Sequence, residues 1–262
     1  FVDYMDRLYR PNNAIMVVAG GIERQASSVQ RLVGESLQDW EKHPTRHFTA
    51  QSDNQAKPQV RVKHKTTEQA HLCLGVRAYH MGHPRRYALN VLTAILGGGM
   101  SSRLFIEVRE RRGLAYYVRS DATQYQDVGN FVTQAGVDVT RIDEAIKTIV
   151  DQYRGIADGQ YPIDGIELTK AKEYLKGRLT LELEDSRSVA GFFGTQELLK
   201  RKIKTPAEVI LATDKVTLED VQVVAQEIFV DKHLNLTVIG PYKEAGRFEK
   251  LLHREITPPK LD

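Results

Sequence analysis

Residues 101–120 read SSRLFIEVRERRGLAYYVRS, a helix, a glycine and a strand in quick succession. The spacing predicts a helix over roughly 102–112, a stop at Gly113 in the left-handed conformation, and a strand from about 115. Arg109 falls in the last turn of that helix and Tyr116 where the strand begins. Seven residues across such a corner can bring both side chains to one point. A guanidinium is always cationic and a phenol donates a hydrogen bond. Two such donors suit the oxygen that gains charge when a peptide carbonyl is attacked. A plainer reading also holds, in which Arg109 complements the helix dipole and pairs with Glu110 or a neighbour while Tyr116 packs in the sheet. Chemistry alone leaves both standing.

Upstream of this corner, QVRVKHK (59–65) alternates as a half-buried strand should, and HLCLGVRA (71–78) reads as a second strand. A helix follows from near Pro84 through Leu89, Leu92 and Ile95 to Gly97. Downstream, 115–124 and 129–137 form a hairpin with Asp127 and Gly129 in the turn region. The remainder is largely helical. Thr140 with Asp143, Thr205 with Glu208, and Thr217 with Asp220 each set an N-cap hydroxyl three residues before a carboxylate. HLNLTVIG (233–240) is the last strand, and a final helix carries Phe248, Leu251 and Leu252.

The chain opens on a helix with Phe1, Met5 and Leu8 on one face. PNNAIMVVAGG (11–21) then predicts a turn, a buried strand and a glycine stop. An amphipathic segment runs on to Trp40, and residues 41–58 turn polar with two prolines, the best linker in the chain. The two ends resemble each other. Tyr9–Gly20 and Phe229–Gly240 both run from an aromatic at a helix end, through a strand, to glycine, at a constant offset of 220. At that offset Phe1, Met5 and Leu8 fall on Val221, Ala225 and Ile228. Helix–strand–glycine units also recur by chance in α/β proteins. If the match is a repeat, the parent protein is a tandem duplication.

Several function classes are excluded or left without support. The 262 residues hold 37 basic and 34 acidic side chains, interspersed, and a net charge of +3 argues for neither nucleic acid nor a membrane surface. No stretch approaches the roughly eighteen apolar residues of a membrane span. Cys73 is the one cysteine, and its apolar surroundings predict a small buried hydrophobe. Gly97, Gly98 and Gly99 could cradle a phosphate, but a helix precedes them and no Lys-Ser/Thr follows, so a tight connection between helices is the better reading. A hydrolytic zinc site on a helix needs two histidines four apart with a glutamate beside the first, and no such run occurs. His80 and His83 are three apart, and Gly82 and Pro84 place them in a loop before a helix. No metal is expected in this chain.

The run HPRRYALNVLTAILGGGMSSRLFIEVRERRGLAYYV (83–118) resembles the signature of the non-catalytic half of pitrilysin/insulinase-family zinc metallopeptidases, most of all the mitochondrial-processing-peptidase-like branch. LYRPNNAIMVVAG is similar to the end of that family's first domain, and TLEDVQVVAQEIF with LTVIGP to the end of its second. The resemblance implies an α/β (α+β) fold, a mixed, largely antiparallel sheet covered by helices. It also implies two homologous halves around a chamber. Residues 1–40 are then the tail of the preceding half, 41–58 the linker and 59–262 the second, non-metal-binding domain. In the family the first half carries an inverted His-x-x-Glu-His motif and a further Glu that bind zinc and activate water. None of that is present here. The second half contributes an Arg and, seven residues later, a Tyr, which match Arg109 and Tyr116 and are implied to hold the scissile carbonyl or its oxyanion. Implied partners are peptide substrates and the zinc-binding half, in cis or in a partner subunit, with a dimer among the assemblies allowed. Zinc is expected in the parent protein alone. The alternative within the family is a non-catalytic scaffold or partner subunit, and a phosphate-binding enzyme using Gly97–Gly99 is a third possibility.

Overall fold

In the computed structural model, which describes residues 1–44 and 48–253, five strands make one sheet. Their spatial order is β1 (Gln59–His64), β5 (Asn235–Gly240), β2 (Gln69–Ala78), β4 (Gly129–Asp138) and β3 (Ala115–Gln124). β1 and β5 run parallel, and every other neighbouring pair is antiparallel. The expected mixed, largely antiparallel sheet is therefore present.

One face of the sheet is apolar because the strands alternate. Leu72, Leu74 and Val76 of β2, Phe131, Ala135 and Val137 of β4, and Leu236 and Val238 of β5 are all buried. Helices α3 (Arg86–Gly97), α4 (Ile142–Ala157), α8 (Leu218–Ile228) and α9 (Gly246–Leu252) close over this face. Each fully buried Leu or Ile contributes about 1.5–3 kcal/mol, so this layer supplies the main driving force for the fold. Gly97 ends α3 where a Cβ would stand 2.2 Å from the Ser120 backbone nitrogen. Any side chain there would push α3 off β3, which gives the glycine run a packing role at a helix end.

The other face is polar, and it corrects one expectation. Cys73 is exposed, on the same face as His71 and Thr237. The apolar run around it has period 2, and Cys73 falls on the outward phase. Burial of part of the group still raises the thiol's pKa, against a smaller lowering by Arg119.

Two of the three expected N-caps form. Thr217 and Asp220 make a reciprocal capping box at α8, and Thr205 and Glu208 do the same at α7 (Pro206–Asp214). Thr140 does not cap α4. Asp138 instead takes the Thr140 backbone N–H at 2.7 Å and its hydroxyl, forming a turn before the helix.

The chain divides into two compact units, residues 52–175 with 211–262, and residues 1–51 with 176–210. The first holds the sheet. In the second are α1 (Val2–Leu8), α2 (Ala26–Ser36) and α6 (Ser186–Lys200), while α5 (Gly165–Glu182) and α7 each span a boundary. The buried strand expected in PNNAIMVVAGG is not formed. Residues 14–19 are extended but unpaired, and Ile15, Met16, Val17 and Val18 are between 38% and 60% exposed. An extended segment becomes a strand only when neighbours accept from its N–H groups and donate to its C=O groups, and no described strand lies beside this one. Within this unit Trp40 Nε1 donates to Tyr9 O at 3.2 Å and Asn12 Nδ2 to His43 O at 2.9 Å. The polar segment 41–58, of which 45–47 lie outside the described residues, carries no helix or strand. Its last part belongs to the sheet unit: Gln55 Nε2 donates to Lys232 O at 2.9 Å, and Asn235 Nδ2 donates to Gln55 Oε1 at 3.0 Å.

Candidate functional site

The helix entering the 101–120 corner is wider than an α-helix. Phe105–Glu110 wind as a π-turn, with the Arg111 N–H donating to Ile106 O five residues back at 2.8 Å. This winding divides the side chains. The Arg109 guanidinium lies 4.9 Å over the Phe105 ring, while Glu107 holds Arg111 and Arg112. Gly113 then turns the chain at φ +58°, a conformation costly to any residue with a Cβ. Its N–H donates to Arg109 O at 3.0 Å and that of Leu114 to Val108 O at 2.8 Å. The last carbonyls of the turn are thereby satisfied, and buried Leu114 and Ala115 pin the exit.

β3 begins irregularly. Its register with β4 shifts between Ala115 and Tyr117, which makes Tyr116 the extra residue of a bulge. Two successive side chains therefore leave on the solvent side, Tyr116 at 58% exposure and Tyr117 at 39%. Tyr116 does not pack in the sheet, so the plainer reading of this residue does not hold.

Arg109 is only weakly committed. Its ion pair with Glu110 is at the 4.0 Å limit with a 44% exposed side chain, and an exposed pair of that length contributes little. The Tyr116 hydroxyl has no hydrogen-bond partner among the described residues, and the two side chains are not bonded to each other. The corner thus presents a cation and a phenol, both with donors to spare, on the two sides of one rigid turn. Sequence reasoning missed Phe105 as the platform beneath Arg109, although an aromatic four residues before a cation on a helix is a readable signal. It also missed the neighbouring pair in which Tyr117 Oη meets His71 Nδ1 at 3.2 Å, because nothing in the period of the sequence announces the bulge.

His80 and His83 are loop residues. His80 Nδ1 accepts the Gly82 N–H and His83 Nδ1 that of Arg85, each at 3.2 Å. The His83 ring stacks on Tyr79 at 3.9 Å, and burial, then His80, lowers its pKa. Tyr79 donates to Glu227, which also pairs with Arg85, and burial and that carboxylate raise the phenol's pKa. Among the described residues no three His, Cys, Asp or Glu side chains are grouped to hold a metal ion. No helix among them is long and apolar enough to cross a membrane.

The family model for the peptidase M16 inactive domain matches residues 1–175, and the chain belongs to that family. It is 35% identical over 244 residues to "Uncharacterized zinc protease YmxG" of Bacillus subtilis (strain 168), covering 91% of this chain and 56% of the relative. It is 26% identical over 182 residues to "Probable inactive metalloprotease YmfF" of the same organism, covering 69% of this chain and 41% of that protein. Among solved structures, the peptidase M16 inactive domain from Pseudomonas fluorescens superposes with a TM-score of 0.74 at 21% identity, covering 84% of this chain and 52% of that one. The fold is thus shared with that domain, and the chain spans about half the length of the curated relatives it matches. The relatives' names associate the family with zinc proteolysis, and the matching domain is the one described as inactive.

Proposed function

We propose that this chain is the substrate-binding half of a zinc-dependent endopeptidase acting on unfolded peptides. Arg109 and Tyr116 donate hydrogen bonds to the scissile carbonyl and to the oxyanion it becomes. The zinc and the water-activating carboxylate belong to the other half, in cis or in a partner subunit. Residues 1–40 are the tail of that preceding half, 41–58 the linker and 59–262 the second domain. The observation that carries this reading is the corner at Gly113, where a bulge and a π-turn leave both donors exposed and nearly unpartnered. A guanidinium and a phenol held by a rigid turn can stabilise charge without reorganising as it develops. The chain's own contribution is to orient the carbonyl and take up its negative charge. The zinc supplies the activated water.

A second reading is a non-catalytic scaffold or partner subunit, which the likeness to a relative named as an inactive metalloprotease favours. The two are separated in the full-length protein. On the peptidase reading, Arg109→Ala and Tyr116→Phe each lower peptide turnover by about tenfold or more, the usual loss for an oxyanion donor, with thermal stability unchanged. Turnover unaffected by both substitutions overturns the assignment of the pair. Absence of any zinc-dependent turnover in the wild type supports the scaffold.

A further inference from the structure

The polar face of the sheet is not featureless. Strand register aligns two neighbouring rows across it. One runs Tyr117, Gly136, His71, Ile239, Lys63, and the other Arg119, Gln134, Cys73, Thr237, Arg61. The middle of this strip is low. The Tyr117 ring lies flat over Gly136, with its Cε1 where a Cβ would come within 2.5 Å, and its hydroxyl meets His71. Cys73 and Thr237 are short and exposed. The ends are high and cationic. At the β3 end Arg119 is held by Gln134 Oε1 at 3.1 Å and by Asp121 at 3.7 Å. At the β1 end Arg61 and Lys63 are exposed and have no acidic partner among the described residues. The remaining cation of the face, Arg77, is occupied by Asp53 at 3.4 Å, and Asp138 is taken by Thr140.

The strip is therefore a shallow trough that starts beside the bulge bearing Tyr116 and ends on two uncompensated positive charges. We propose that the trough is a path for the substrate chain, running from Tyr117 on β3 across the strands to Arg61 and Lys63 on β1, where those cations pair with an acidic side chain of the substrate. The inference rests on the proposed role of Tyr116, since that residue sets where the path begins. Four inter-strand steps of about 4.8 Å make the path about 19 Å long, and an extended chain rises about 3.3 Å per residue. The acidic side chain therefore belongs about six residues from the scissile bond. Charge complementarity selects the occupant: a basic segment would be repelled at the β1 end, and an apolar one would cover two bare cations without pairing them.

The test uses the full-length protein and unstructured peptides in which a single Glu or Lys is scanned along the chain on either side of the cleaved bond. Turnover is expected to peak when Glu lies about six residues from that bond on one side. In protein stripped of metal by a chelator, fluorescence anisotropy should show the same Glu peptide binding about threefold to tenfold more weakly to the double variant Arg61→Glu with Lys63→Glu. That range is what two exposed ion pairs supply at low salt, and the difference should shrink as salt is raised. The matching Lys peptide should bind the variant more tightly. A charge preference that does not depend on the position of the Glu overturns the path, as does a double variant that binds both peptides like the wild type. Because the anisotropy measurement needs no cleavage, its outcome is separate from that of the Arg109 and Tyr116 substitutions. Loss of the charge preference with those two effects intact sinks the path alone.

Discussion

Set 220 residues apart, residues 2–32 and 222–252 carry a similar run of local elements. Tyr9 N–H donates to Met5 O at 2.8 Å where α1 ends, and Phe229 N–H donates to Ala225 O at 2.9 Å where α8 ends. Each end is followed by a 3-10 turn, Pro11–Asn13 or Asp231–His233, closed by a 2.9 Å bond from Asn13 to Arg10 or from His233 to Val230. Each segment then runs to a glycine, Gly20 or Gly240, and re-enters a helix at the same offset, Ala26 or Gly246. What differs is the surroundings. Val238 is fully buried in β5 between β1 and β2, whereas its counterpart Val18 is 47% exposed. Local sequence is enough to write helix, turn and extended chain twice. Only a sheet to enter turns the extended chain into a strand.

The sharpest way to break this comparison is to make one substitution in both segments. Val238→Ala removes two buried methyl groups and leaves a cavity, and should cost about 2 kcal/mol or more. Val18→Ala in the same chain should cost less than about 0.5 kcal/mol. Urea unfolding measures both, and equal costs would mean that Val18 is as well packed as Val238. A smaller effect is expected at the helix starts. α8 opens on the Thr217–Asp220 capping box. Thr217→Ala should therefore cost about 1 kcal/mol, read from the same transitions.

The smallest effect concerns pH. The Thr217 backbone N–H, then its hydroxyl, hold the Asp220 carboxyl below its ordinary value of 3.8. A carboxyl depressed on folding stabilises the folded state above its unfolded pKa, and that contribution disappears as pH falls through the folded one. Between about pH 5 and about pH 2 the wild type should lose slightly more stability than Asp220→Asn. Parallel pH profiles for the two proteins would show that the Asp220 carboxylate makes no such contribution.

How far the fold was legible follows from the same contrast. The hairpin, α3, α8 and the last strand were readable because burial and period agree there: Leu89 and Leu92 face the core, and Leu236 and Val238 alternate with exposed Thr237. Residues 14–19 carry equally good strand residues, and the sequence cannot say whether a neighbour is at hand. Cys73 was misjudged by composition although its alternation with Leu72 and Leu74 placed it with His71. At the candidate site the helix, Gly113 and the strand were legible because glycine marks the turn. The π-turn and the bulge were not, since each is one residue out of register and hydrophobic pattern is blind to a shift of that size over so short a span.

The widened turn at Phe105–Glu110 has a consequence for how this corner tolerates change. A π-turn holds one residue more than the α-helical turn it replaces, and each residue of an α-helix sweeps about 100°. Removing Ile106 or Val108 would let the backbone relax to ordinary winding with no change in charge. Either deletion shortens the spacing from Phe105 to Arg109 from four residues to three, and so changes how the guanidinium sits over that ring. The placement of that cation over Phe105 is thus written in the length of the segment as much as in its letters.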